Sequence, residues 1–139
     1  MPVLLQNESC ECALACLAMI AGYHGHRTDL GTLRRQFRVP LTGSSVKSIV
    51  RIATGLNISA RAVRLEPEEL KQLTCPAILH WRLNHFVVLA AIRFRGIIVH
   101  DPARGRRFIS WKDVSRFFTG VAAELTPTRH FEQKDDVNR

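Results

Sequence analysis

The order of hydrophobic patterns along the chain predicts an α+β domain, with N-terminal helices packed on a C-terminal antiparallel sheet. Two observations carry this reading. Apolar residues recur at three- and four-residue spacing in the first half, and from Ala77 onward short apolar runs alternate with turn residues. Size is a third: 139 residues with 46% hydrophobic content suit one domain with a single core.

Ser9 can cap a first helix over about 10–21, whose apolar face is Leu14, Leu17, Ala18 and Ala21, with Gly22 as its stop. Thr28 or Asp29 opens a second helix with Leu30, Leu33 and Phe37 inward, ended by Pro40. A third starts at Ser44 or Ser45, buries Val46, Ile49, Val50 and Ala53, and is followed by Gly55. Pro67 fits the first turn of a short fourth helix, 68–73. Strands are expected at 77–81, 85–92, 96–100 and 107–111, then a helix over 112–118 and a last strand over 121–125. Arg93, Phe94, Arg95 and Gly96 suit a hairpin turn. The domain is expected to cover 1–127, with 128–139 a charged linker or tail.

Composition narrows the function. No apolar run approaches the length of a membrane span, and the first residues lack the basic and apolar regions of a signal peptide. Cysteines 10, 12, 16 and 75 are therefore read as reduced thiols in the cytosol, not as disulfides. The formal charge of +8 suits an anionic partner, but the basic residues are scattered in pairs such as Arg34-Arg35 and no nucleic-acid motif accompanies them. A nucleic-acid partner is not expected. A metal module built on Cys10, Cys12 and Cys16 would need a fourth ligand from His24, His26 or Cys75, and its spacing is not that of zinc knuckles. No metal or cofactor is expected.

One constellation fits nucleophilic catalysis. A reactive thiol belongs at the first turn of a helix and beside an imidazole. Cys12 has the helix position. His85 opens the strand Phe86-Val87-Val88-Leu89, and Asp101 ends the neighbouring strand, where it could fix the imidazole tautomer. Gln6 lies upstream in a loop and could donate to an oxyanion. On these grounds alone His24, His26, His80, His100 and His130 compete with His85, and Cys12 could be a small buried hydrophobe. His100 should face the opposite side of the sheet from Asp101 by strand alternation.

A resemblance narrows the choice. The segment from Gln6 to Ile20, QNESCECALACLAMI, resembles the nucleophile motif of C39 peptidase domains. The blocks LHWRLNHFVVL (79–89), HDPARG (100–105), LRRQF (33–37) and FFTG (117–120) are similar to further family blocks, and the likeness spans about Val3 to Leu125. It implies a papain-like fold and a cysteine endopeptidase at the N-terminus of a bacteriocin-exporting ABC transporter, of the colicin V secretion type. Such a domain removes leader peptides after Gly-Gly or Gly-Ala at the cytoplasmic face of the bacterial inner membrane. It also implies roles: Cys12 the nucleophile, His85 the general base and acid, Asp101 its orienter, Gln6 the oxyanion donor. Ala13 stands where the family has Gly, and Cys10 is an additional thiol two residues before Cys12. The implied partners are a double-glycine precursor and the transmembrane and ATP-binding parts of an exporter. The alternative is a related domain that docks substrate without cutting it, in which the nucleophile is lost.

Overall fold

The computed structural model describes residues 11–37 and 46–137. Its elements are α1 (Cys12–Tyr23), β1 (His26–Arg27), α2 (Leu30–Gln36), α3 (Val46–Gly55), β2 (Ile58–Arg64), a 3₁₀ helix (Pro67–Gln72), β3 (Ala77–Trp81), β4 (His85–Ile92), β5 (Gly96–Asp101), β6 (Gly105–Ser110), α4 (Trp111–Phe117), β7 (Phe118–Pro127) and β8 (Lys134–Asp135). Helices come first and an antiparallel sheet follows, as the sequence predicts. Six strands run in the order β2-β7-β3-β4-β5-β6, each antiparallel to its neighbour.

The sheet is buried on both faces. Phe86 and Val88 of β4, with Ile78 of β3, pack against α1, α2 and α3. Val87 and Leu89 point the other way, into a second core with Leu79, Ile97, Val99 and Val114 and with Leu70 of the 3₁₀ helix. Alternation between two covered faces makes β4 read as a continuous apolar run.

Helix α1 is the spine of the first core. Every residue from Cys12 to Ala21 is buried, so the apolar face read from the sequence extends around the whole helix, as in a helix enclosed by its neighbours. Glu11, just before it, is buried and takes a two-pronged ion pair from Arg34 of α2. The α-helix itself begins at Cys12, preceded by Glu11 in a 3₁₀ turn. Asp29 caps α2 by accepting from the Thr32 N–H at 2.8 Å.

Three further differences have local causes. In α3, Gly55 is helical and Asn57, at φ 61°, makes the left-handed exit. A Cβ on Gly55 would lie 2.5 Å from the Phe37 ring, so the glycine admits that close approach. Strand β2 was not expected. It is an edge strand with two exposed arginines and one fully buried residue, Ile58, so it lacks an apolar signature. The segment after Pro127 folds back: β8 pairs in parallel with β1, and His26 Nε2 meets Asp136 Oδ2 at 2.7 Å. The expected Ser9 cap, the Pro40 stop and the start of the third helix at Ser44 or Ser45 lie outside the described residues.

Candidate active site

The fold brings three of the four expected site residues together. Cys12 is the first residue of α1, whose side chains press on β4. His85 is the first residue of β4 and Asp101 the last of β5, its antiparallel neighbour. The pairing of Val88 with His100 leaves His85 and Asp101 near the same end of the two strands. His85 Nε2 donates to Asp101 Oδ1 at 2.7 Å. The side chain of Cys12 bonds the same imidazole. Nε2 is taken by Asp101, so Nδ1 is the nitrogen left for sulfur. Gln6 and Cys10 lie outside the described residues.

The electrostatics follow from this geometry. The hydrogen bonds to Asp101 and Cys12 outweigh burial and raise the His85 pKa to about 9, so the ring is an imidazolium at neutral pH. Burial alone would push the Asp101 carboxyl up. The bond from His85, the Ala103 N–H at 2.8 Å and the charges of His85 and Arg104 reverse that, leaving it below the usual carboxylate range. Cys16 lies one turn beneath Cys12 and is completely buried. Burial first, then the charges of Cys12 and Asp101, push its thiol well up.

Sequence reasoning missed the devices that hold His85. Leu83 and Asn84, in the turn before it, are left-handed at φ 65° and 53°. His80 bonds Asn84 Oδ1 at 2.9 Å and Thr119 Oγ1 at 2.8 Å, tying this turn to the start of β7. Trp81 pairs with His85 across the strands and stacks on Phe117, with centroids 6.1 Å apart. Trp81 therefore both packs and walls the site. No spacing rule announces bonds between polar side chains on a turn.

The remaining histidines stand apart. His100 pairs with Val88, is buried, and has an Nδ1 with no hydrogen-bond partner; burial lowers its pKa. His24 and His26 sit near the end of α1, with Phe131 against both rings. Among the described residues no group of three or more His, Cys, Asp or Glu side chains is arranged to hold a metal ion. No helix among them is long and apolar enough to cross a membrane.

A thiol at the head of a buried helix, an imidazole bonded to it and a carboxylate behind the imidazole form the arrangement of a cysteine peptidase. The comparisons with known proteins agree. The chain belongs to the Peptidase C39 family, whose model matches residues 1–130, and is a cysteine peptidase domain. It is 47% identical over 133 residues to the colicin V secretion/processing ATP-binding protein CvaB of Escherichia coli, covering 96% of this chain and 19% of that protein. It is 46% identical over 130 residues to the probable microcin-H47 secretion/processing ATP-binding protein MchF of Escherichia coli, covering 94% and 19%. The chain thus spans about a fifth of the length of these curated relatives. Among solved structures it is similar to a double glycine motif protease from an AMS/PCAT transporter in complex with the leader peptide. That match has a TM-score of 0.85 and 36% identity, and covers 91% of each chain. The peptidase domain of Streptococcus ComA shares the fold, with a TM-score of 0.83 and 24% identity over 91% of this chain and 98% of that one.

Proposed function

We propose that this chain is the peptidase domain of a peptide exporter and removes a double-glycine leader by acyl-enzyme chemistry at Cys12. The observation that carries the chemistry is the bonded series Cys12, His85, Asp101, with the last link at 2.7 Å. The leader reading is supported by the likeness to the double glycine motif protease solved with its leader peptide. The exporter reading is supported by the two processing ATP-binding proteins from Escherichia coli. In this reading the domain comprises 1–127 with the 128–137 segment folded against it, works at the cytoplasmic face of the bacterial inner membrane, and has the transmembrane and ATP-binding parts of the transporter as partners.

In this reading the reaction runs as follows. Cys12 sulfur attacks the carbonyl carbon of the second Gly, and the carbonyl oxygen becomes an oxyanion that Gln6 and a backbone N–H receive. His85 passes its proton to the leaving amine, the C–N bond breaks, and the leader remains as a thioester. Water then gives a proton to His85 and its oxygen to the thioester carbon. The thioester opens and Cys12 is restored. Asp101 holds the ring oriented and stabilises its charged form throughout. A docking domain without catalysis would have no need of this series.

Mass spectrometry of a synthetic precursor incubated with the chain tests the reading. Cleavage after Gly-Gly is expected, nearly abolished when either Gly is replaced by Val or Leu. Comparable turnover of a Leu-containing leader overturns the double-glycine assignment.

A further inference from the structure

A cavity of about 450 Å³ opens directly beside His85 and Asp101. Its walls come from the turn before His85 (Arg82, Leu83), from the segment after Asp101 (Arg104, Arg107), and from the stacked pair Trp81 and Phe117. Three arginines therefore line it. Among the described residues the only carboxylate lining it is Asp101, already engaged by His85 and by the Ala103 N–H. Among the described residues, neither Arg82 nor Arg107 forms an ion pair with a carboxylate, and Arg104 acts on Asp101 only through its charge. Arg82 reaches only a neutral acceptor, the Arg116 carbonyl, at 3.3 Å. Arg107 is half-buried and pairs across the strands with Val99, which places it on the sheet face of the second core, diagonal to Asp101. A half-buried cation without a counter-charge invites an anionic partner. The rim is also built: the left-handed turn presents Leu83 at 98% exposure, and His80 fixes Asn84 behind it.

We infer that this pocket is a specificity subsite that takes a carboxylate side chain of the bound peptide, within a few residues of the scissile bond. The inference rests on the leader-peptidase reading above and adds a charge preference to it. Trp81, Phe117 and Leu83 cover the aliphatic stem of the guest side chain, and the guanidinium groups receive its head.

The test uses synthetic precursors that share one double-glycine leader. They differ only in placing Glu, Gln or Lys at one position, either just before the Gly pair or among the first three residues after the cut. At one of these positions Glu is expected to exceed Lys in kcat/KM on the order of fivefold. Which position responds shows whether the carboxylate belongs to the leader or to the released peptide. In Arg107→Glu and in Arg82→Glu the preference is expected to invert towards Lys, an outcome that loss of packing does not produce. Arg82 is exposed, so its variant keeps the test open if Arg107→Glu folds poorly. Equal kcat/KM for Glu, Gln and Lys at every position overturns the subsite and leaves the leader reading standing. If the chain cuts none of these precursors, the leader reading fails. Binding of the Glu and Lys peptides to the Cys12→Ala chain, followed by fluorescence anisotropy, then decides the subsite separately: equal affinities overturn it, tighter Glu binding upholds it.

Discussion

Replacing Asp101 by Asn isolates the charge behind His85 while keeping an oxygen within reach of its Nε2. In the native chain the imidazole is held protonated up to about pH 9, by the bonds to Asp101 and Cys12 acting against burial. The upper limb of the kcat/KM profile is therefore expected near that value, where the ring loses the proton it must deliver to the leaving amine. Without the carboxylate charge the His85 pKa falls towards its ordinary value of 6.5, at 1.36 kcal/mol for each unit. If it reaches about 7, the protonated fraction at pH 8 drops from about 0.91 to about 0.09, a loss of roughly tenfold from protonation alone. Cleavage rates from pH 5 to 10 measure the limb, and titration of the His85 ring proton by NMR measures the group directly. A limb that stays near 9 in Asp101→Asn would show that the carboxylate does not set the imidazole's charge. The same shifts act on stability with opposite signs. The raised pKa of His85 contributes stability that is complete below 6.5 and lost as pH rises through about 9. The lowered pKa of Asp101 contributes stability present above 3.8 and lost as pH falls through its folded value.

Other perturbations address the supports. Gln6→Ala should lower kcat by about 10²–10³-fold with leader affinity nearly unchanged, in steady-state kinetics and anisotropy; a normal rate removes Gln6 from the oxyanion site. Arg34→Ala strips the counter-ion from the buried Glu11 carboxylate next to Cys12. Because the guanidinium is itself half-exposed, water replaces part of it, and chemical denaturation should show a loss of about 2 kcal/mol. Cys16→Ser places a hydroxyl in a completely buried site and should cost about 1–3 kcal/mol of stability while cleavage at Cys12 persists.

Much of this site was legible because its parts sit at element boundaries. The start of α1 and the ends of β4 and β5 show in the sequence as breaks in hydrophobic periodicity, and Cys12, His85 and Asp101 fall on those breaks. What composition left open among six histidines, the motif blocks narrowed to His85, and the register of β4 on β5 brings it to Asp101. The supports were not legible. The ties from His80 to Asn84 and Thr119, and from Arg34 to Glu11, join residues that no periodicity relates, and they exist only once the chain has folded. Strand β2 was missed because an edge strand of small and exposed residues, with Arg61, Ala62 and Arg64 all open to solvent, lacks an apolar face. The enclosure of α1 on all sides came from the second and third helices closing over it, which its own sequence does not announce.

The central claim is that Cys12, not the neighbouring Cys10, forms the thioester. The direct measurement is liquid chromatography and mass spectrometry of one double-glycine precursor incubated with the wild-type chain, with Cys12→Ala and with Cys10→Ser. The wild-type chain and Cys10→Ser are expected to release a leader ending in Gly-Gly. Cys12→Ala is expected to release nothing while still binding the precursor. Cleavage by Cys12→Ala together with an inert Cys10→Ser would contradict the assignment.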